Sequence, residues 1–223
     1  MKALKNIILL TGYYGCGKTN LAVNLALDYC DAGEMVTLID LDVVNPFFRS
    51  ADFLTLLEEK GIELIAPRYA NTLIDIPAVP REVSAAFSGR RRVIADVGGD
   101  DAGAAVLGRY GGEIERAGGA DMAYLFSVYR PRTGSVKEVH DNIRAIEAVS
   151  GLKVTYLINS SNLGKETSSG DVSASLGFSN ELSELTGIPL LMTVALGRIA
   201  GEVEGSYAVK RFVRLPWEPF EDE

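Results

Sequence analysis

Seven short apolar runs punctuate this chain of 223 residues: Ile7 to Thr11, Met35 to Ile39, Ile62 to Ala66, Val93 to Val97, Ala123 to Val128, Val154 to Asn159 and Leu190 to Val194. Their largely unbroken apolar character is that of strands covered on both faces. Stretches of helical period separate them. In Asn20 to Tyr29, the residues Leu21, Ala22, Leu25 and Ala26 recur at a spacing that gathers them on one side of a helix, and Val136 to Val149 reads as a second helix. The alternation predicts βαβ units with right-handed crossovers, hence an α/β fold of three layers: a mostly parallel central sheet with helices on both faces. In such sheets ligands bind beyond the carboxyl ends of the strands, so the residues just after each run carry the chemistry.

The first run leads directly into Gly12-Tyr13-Tyr14-Gly15-Cys16-Gly17-Lys18-Thr19, a complete G-x-x-x-x-G-K-[ST] phosphate-binding loop between a strand and a helix. A polyphosphate needs many donors at short range, and a glycine-rich loop can turn its backbone N–H groups inward without side chains intervening. Lys18 adds a point charge for the β- and γ-phosphates, and the Thr19 hydroxyl offers an oxygen to Mg²⁺. The helix that begins here, through Asn20, aims its positive end at the same place. Residues 12 to 20 are therefore the expected nucleotide contacts, with Mg²⁺ as the expected metal and a P-loop nucleotidase fold as the expected frame.

Three further strand ends carry polar residues. Asp40 and Asp42 stand two apart and so on one side of a continuing strand, placed to hold Mg²⁺ or to orient a water for attack on the γ-phosphate. Asp42 with Asn45 and Pro46 also reads as a helix cap. Val93 to Val97 followed by Gly98 and Gly99 reads as a Walker B strand, in which Asp96 serves the metal through water and the Gly99 N–H approaches the γ-phosphate; Asp96 as a plain cap is the alternative. The glycine-dense stretch from Gly98 to Gly119 is a candidate γ-phosphate switch. Asn159 offers a donor and an acceptor to an adenine edge, or merely starts a turn.

A chain of this length with 47% hydrophobic residues can bury one full core, so residues 1–223 are expected to form a single domain. The formal net charge of −8 argues against nucleic acid as the principal partner, and Arg90-Arg91-Arg92 reads as a solvated run. Two cysteines, Cys16 and Cys30, fit a reducing compartment and hold no metal-site spacing. The apolar stretch near the N-terminus is too short for a signal peptide, so a cytoplasmic location is expected. His140, in the second helix, receives no role.

The phosphate loop, the D-x-D of Asp40 and Asp42, Asp96 with Gly99, and Ile158-Asn159 together resemble the ParA/MinD family of P-loop nucleotidases, relatives of the CobQ/CobB and dethiobiotin synthetase groups. The resemblance implies MgATP binding, slow hydrolysis with Lys18 and Asp42 in the catalytic roles, Thr19, Asp40, Asp42 and Asp96 around the metal, Asn159 at the adenine, and a homodimer that closes on ATP. One residue departs from it. The family's second lysine, after the first glycine of the loop, is replaced here by Tyr13, and a phenol cannot neutralise phosphoryl charge as an ammonium does. Arg49, Arg130 and Arg132 are guanidinium groups near strand ends that can substitute, with ordinary surface ion pairing as the alternative for each. The expected function is an ATP-driven switch acting on a protein partner, away from membranes. A small-molecule kinase or ATP-dependent ligase, using Asn45, Arg49 and Arg130, and a binding module with negligible turnover are the alternatives.

Overall fold

The computed structural model describes residues 4–42, 54–66, 82–99, 101–131 and 133–213. Asn45, Pro46, Arg49 and Arg132 lie outside the described residues. Strands β1 (Ile7–Gly12), β2 (Val36–Leu41), β3 (Glu63–Ile65), β4 (Arg92–Val97), β5 (Ala120–Phe126), β6 (Tyr156–Asn159), β7 (Leu190–Leu196) and β8 (Tyr207–Val209) form one sheet. Its order is β3-β2-β4-β1-β5-β6-β7-β8, and each neighbouring pair is parallel. All seven apolar runs became strands. The eighth strand, β8, was not foreseen, because its three residues stand between Gly205-Ser206 and Lys210-Arg211, whereas the equally short β3 lies in the longer run Ile62 to Ala66.

Helix α1 (Lys18–Asp31) lies on one face, where Leu21, Leu25, Ala22 and Ala26 meet Ile8 and Leu10 of β1, Leu38 of β2 and Ile94 of β4. Helix α2 (Leu54–Glu59) adds Leu57 to the same layer. The opposite face is covered by α3 (Glu82–Phe87), α4 (Asp101–Gly108), α5 (Gly111–Arg116), α6 (Val136–Ser150) and α8 (Leu176–Thr186). There α6 turns Val139, Ile143 and Ile146 inward at alternating steps of four and three. Each buried aliphatic side chain of this kind contributes about 1.5–3 kcal/mol. Its start is set by a capping box, in which the Ser135 hydroxyl accepts from the Glu138 N–H while the Glu138 carboxylate accepts from the Ser135 N–H. The short helices α7 (Ser169–Ala174) and α9 (Gly197–Ala200) close a satellite cluster of Val172, Ala195, Ile199 and Val203 beyond β7.

The glycine-dense stretch after Gly98 folds into α4 and α5, where Ala104, Val106, Leu107 and Ile114 cover a sheet face. One detail differs from expectation. Of the arginine run, Arg92 is built in: its guanidinium holds Glu34 at 2.5 Å and lies 4.1 Å above the Tyr29 ring. No helix among the described residues is long and apolar enough to cross a membrane.

Candidate functional site

Parallel register decides what meets at the carboxyl edge of the sheet. Leu10 pairs with Asp96, and Asp96 pairs with Asp40, so the two carboxylates sit level on adjacent strands. Both share strand parity with Leu38 and Ile94, and therefore face the α1 side, where the phosphate loop turns over.

The loop depends on close backbone approach. A Cβ on Gly12, which has φ +138°, would stand 2.1 Å from the Leu125 carbonyl oxygen of β5. One on Gly99 would stand 2.0 Å from the Gly12 oxygen and 3.2 Å from Lys18 Nζ. Only glycine permits either contact. Gly17, left-handed at φ 81°, caps α1 without any side-chain hydrogen bond to the helix N-terminus, so those N–H groups remain directed at the loop's interior.

Lys18 is buried, and its ammonium donates to the carbonyls of Gly12 at 2.9 Å and Tyr13 at 3.3 Å. The Thr19 hydroxyl donates to Asp96 Oδ2 at 2.5 Å. Asp96 is completely buried and its Oδ1 has no hydrogen-bond partner among the described residues. Burial pushes its pKa up to about 6, opposed by the Lys18 charge and the Thr19 hydrogen bond and reinforced by Asp42. The Asp42 N–H donates to Asp40 Oδ1 at 3.0 Å, which turns the chain so that Asp42 lines the cavity. Cys16 is buried inside the loop, and desolvation raises its thiol to about 11, so it is a packing residue without nucleophilic character.

From the loop a cavity of about 730 Å³ runs toward the far end of the sheet. Its near wall holds Tyr14, Gly15, Gly17, Lys18, Thr19, Asn20, Asp42 and Arg130. Its far wall is made of the loop from Ser160 to Thr167, the end of β7 at Val194 to Leu196, and Val209, Arg211 and Val213. Asn20 has a bracing role as well as a place in the wall: its amide donates to the Lys210 carbonyl at 3.0 Å and accepts from the Phe212 N–H at 2.8 Å. Asn24 grips Lys210 in the same manner. The chain after β8 is thereby tied to α1 across the sheet edge. Tyr13 packs half-buried against the α1-side core, whereas Tyr14 is exposed at the cavity mouth.

Asn159 is fully buried and is not among the cavity-lining residues. Its Nδ2 donates to Ser175 Oγ at 2.7 Å and its Oδ1 accepts from the Ser161 N–H at 3.1 Å. The side chain therefore braces the far wall from behind, because strand parity sends residue 159 away from Ile158 and the α1 side. Sequence reasoning missed Asn24, the Ser160 to Thr167 wall and the 209–213 segment. The only available signal was the Ser, Gly and Asn content after Asn159.

The donor set fits Mg²⁺. A hydroxyl and a buried carboxylate with an unpartnered oxygen meet beside an ammonium, and this cation takes only one or two protein ligands when phosphates supply the rest. Among the described residues no three or more His, Cys, Asp and Glu side chains form a protein-only metal cage.

In overall shape the chain is similar to FtsY from Mycoplasma mycoides, with a TM-score of 0.57 and 18% identity over 87% of this chain and 61% of that one. It is similar also to the cell division protein FtsY of Thermotoga maritima (0.56, 18%, 88% and 63%) and to the signal recognition particle 54 kDa protein of Aeropyrum pernix in complex with GDP (0.53, 19%, 86% and 42%). This chain spans about three fifths of the length of the two FtsY structures. At such identity the likeness establishes the fold, the three-layer α/β arrangement of the P-loop nucleotidases. No family model matches the chain, and no curated protein matches it in sequence.

Proposed function

We propose that this chain, built on the P-loop nucleotidase fold, binds ATP with Mg²⁺ and hydrolyses it slowly, and that the γ-phosphate state controls a partner protein in the cytoplasm in the manner of the ParA/MinD branch. The observation that carries this reading is the buried Lys18 ammonium, on the carbonyls of Gly12 and Tyr13 beside the Thr19–Asp96 pair, at the head of a cavity large enough for a nucleotide. In this reading the polyphosphate lies along residues 12–19 and the base lies between the Ser160 to Thr167 wall and Leu196, Val209 and Val213.

Thr19 and Asp96 would hold the Mg²⁺, with Asp40 and Asp42 behind them, and the ion would neutralise phosphate charge. The chain's own residues do the rest. Loop N–H groups and Lys18 bind and orient the phosphates, Gly99 leaves room for them beside Lys18, and Asp42 orients the attacking water. Asn159 serves the adenine by holding Ser161 in place. A homodimer closing on ATP belongs to the ParA/MinD reading, although Tyr13 stands where that family has its second lysine.

Titration of a fluorescent ATP analogue, with and without Mg²⁺, tests the site. Wild-type binding that disappears in Lys18→Ala supports it, and equal affinity in the two chains overturns it. An Asp42→Ala chain that releases phosphate at the wild-type rate removes the water-orienting role.

GTP is the second reading. The guanine edge presents two donors that call for a carboxylate, Glu166 lines the far wall, and two similar structures were solved with GDP. Displacement of the bound analogue by ATP and by GTP decides between them.

A further inference from the structure

The lysine absent at position 13 leaves the triphosphate short of a second cation, and among the described residues the cavity wall holds two guanidinium groups, Arg211 in the far wall and Arg130 against the loop. Arg130, in the turn after β5, donates its Nε to the Gly15 carbonyl at 3.0 Å. A Cβ on Gly15 would meet its Nε at 3.4 Å, Cδ at 3.5 Å and Cζ at 3.8 Å, so the guanidinium lies directly on the crown of the phosphate loop. It forms no ion pair with any carboxylate among the described residues, and its two terminal amino groups have no hydrogen-bond partner there.

The turn that carries it is built to stay in place. Thr133 Oγ1 donates to the Ser127 carbonyl at 2.5 Å and contacts the Arg130 carbonyl at 2.9 Å, while the Arg130 N–H donates to Ser127 O at 3.1 Å. The Val128 N–H donates to Ser161 Oγ at 3.1 Å, and the Tyr129 hydroxyl donates to the Asp171 carbonyl at 2.8 Å. Thr133, Ser127 and Ser161 are all buried. Arg130 itself is exposed, so its fork is accessible to phosphate, and an arginine whose turn is positioned in advance loses less freedom on binding.

We propose that Arg130 is a phosphate-contacting residue acting within its own chain, in place of the absent lysine; this rests on the MgATP reading above. As the water oxygen bonds to the γ-phosphorus, the bond from that phosphorus to the β–γ bridging oxygen breaks and its electron pair stays on ADP. The displaced water proton leaves to solvent. The guanidinium, anchored through Nε, uses its terminal amino groups to offset the negative charge gathering on the phosphates, a service that a cis arginine supplies at about 10³–10⁵-fold in other phosphoryl-transfer sites.

The test compares wild type, Arg130→Ala, Arg130→Lys and Lys18→Ala for ATP, ADP and ADP–aluminium fluoride affinity and for phosphate release, with circular dichroism as the folding check. Arg130→Ala is expected to lose at least tenfold in analogue affinity and in the preference for ATP over ADP, to recover partly with millimolar guanidinium, and to be only partly replaced by lysine. An Arg130→Ala chain with unchanged analogue affinity and ATP/ADP ratio, while Lys18→Ala loses binding, overturns this inference and leaves the nucleotide reading standing. A wild-type chain that binds no nucleoside triphosphate overturns both.

Discussion

The two ends of the cavity are made in different ways. The near end is backbone and charge: Gly12, Gly17 and Gly99 bring main-chain groups together, and Lys18, Thr19, Asp42 and Asp96 gather because β1, β4 and β2 are neighbours in register. The far end is side-chain shape, with Leu163, Val194, Leu196, Val209 and Val213 from three separate segments. Its loop is closed by its own side chains, as Asn162 donates to the Ser160 carbonyl and accepts from the Gly164 N–H, and Thr167 accepts from the Leu163 N–H. A site that binds through backbone tolerates few sequences, whereas one that binds through apolar contact tolerates many. The contrast predicts steep losses at one end and shallow losses at the other.

Lys18→Ala should break the near end outright, with ATP affinity falling by more than about a hundredfold, roughly 3 kcal/mol, by fluorescence titration in a chain that still folds. Gly99→Ala attacks the same end through sterics. Its new Cβ cannot share space with the Gly12 oxygen 2.0 Å away, so thermal unfolding should show a loss of about 2–4 kcal/mol; an unchanged Tm would refute the close approach. Asp96→Asn sharpens the comparison further, because burial of this carboxylate costs stability. With its pKa at about 6, folded Asp96 keeps a proton that the unfolded chain releases near 3.8. The stability this retained proton contributes is complete below about pH 4 and is lost as pH rises through 6. In EDTA, Asp96→Asn should therefore be more stable than wild type at pH 7.5, on the order of 1–3 kcal/mol, with the gap closing toward pH 4. A gap that ignores pH would contradict the burial argument. At the far end, Leu163→Ala should weaken nucleotide binding less than tenfold, about 1 kcal/mol, since Leu163 is half-exposed at the rim. The smallest effect concerns Cys16: at pH 8 its thiol should resist alkylation while Cys30 reacts, as read by mass spectrometry.

How far each part was legible follows from the same physics. Six of the seven strands were visible because strands largely buried on both faces are mostly apolar, and the short β3 through the run Ile62 to Ala66 around it; β8 was not, because Tyr207 to Val209 stands between polar neighbours. Asp40, Asp42 and Asp96 could be picked out as strand-end carboxylates, yet that Asp40 stands level with Asp96 is a matter of register. The bracing of the 209–213 segment by Asn20 and Asn24 joins residues some 190 positions apart, and Asn159 turned out to face away from the cavity.

Local geometry written into consecutive residues was therefore settled by the sequence alone: the glycines, lysine and threonine of one turn lie within a few bond lengths of each other, and the strand–loop–helix around them is specified by neighbouring residues. What only the tertiary structure decided was which distant groups share that space. Arg130 comes to rest on Gly15 because β5 is paired with β1 and Thr133 locks the turn that follows, and no local pattern encodes either pairing. Long-range contacts arise from the summed burial of both sheet faces, so a residue such as Arg130 acquires its meaning only when the sheet has placed it.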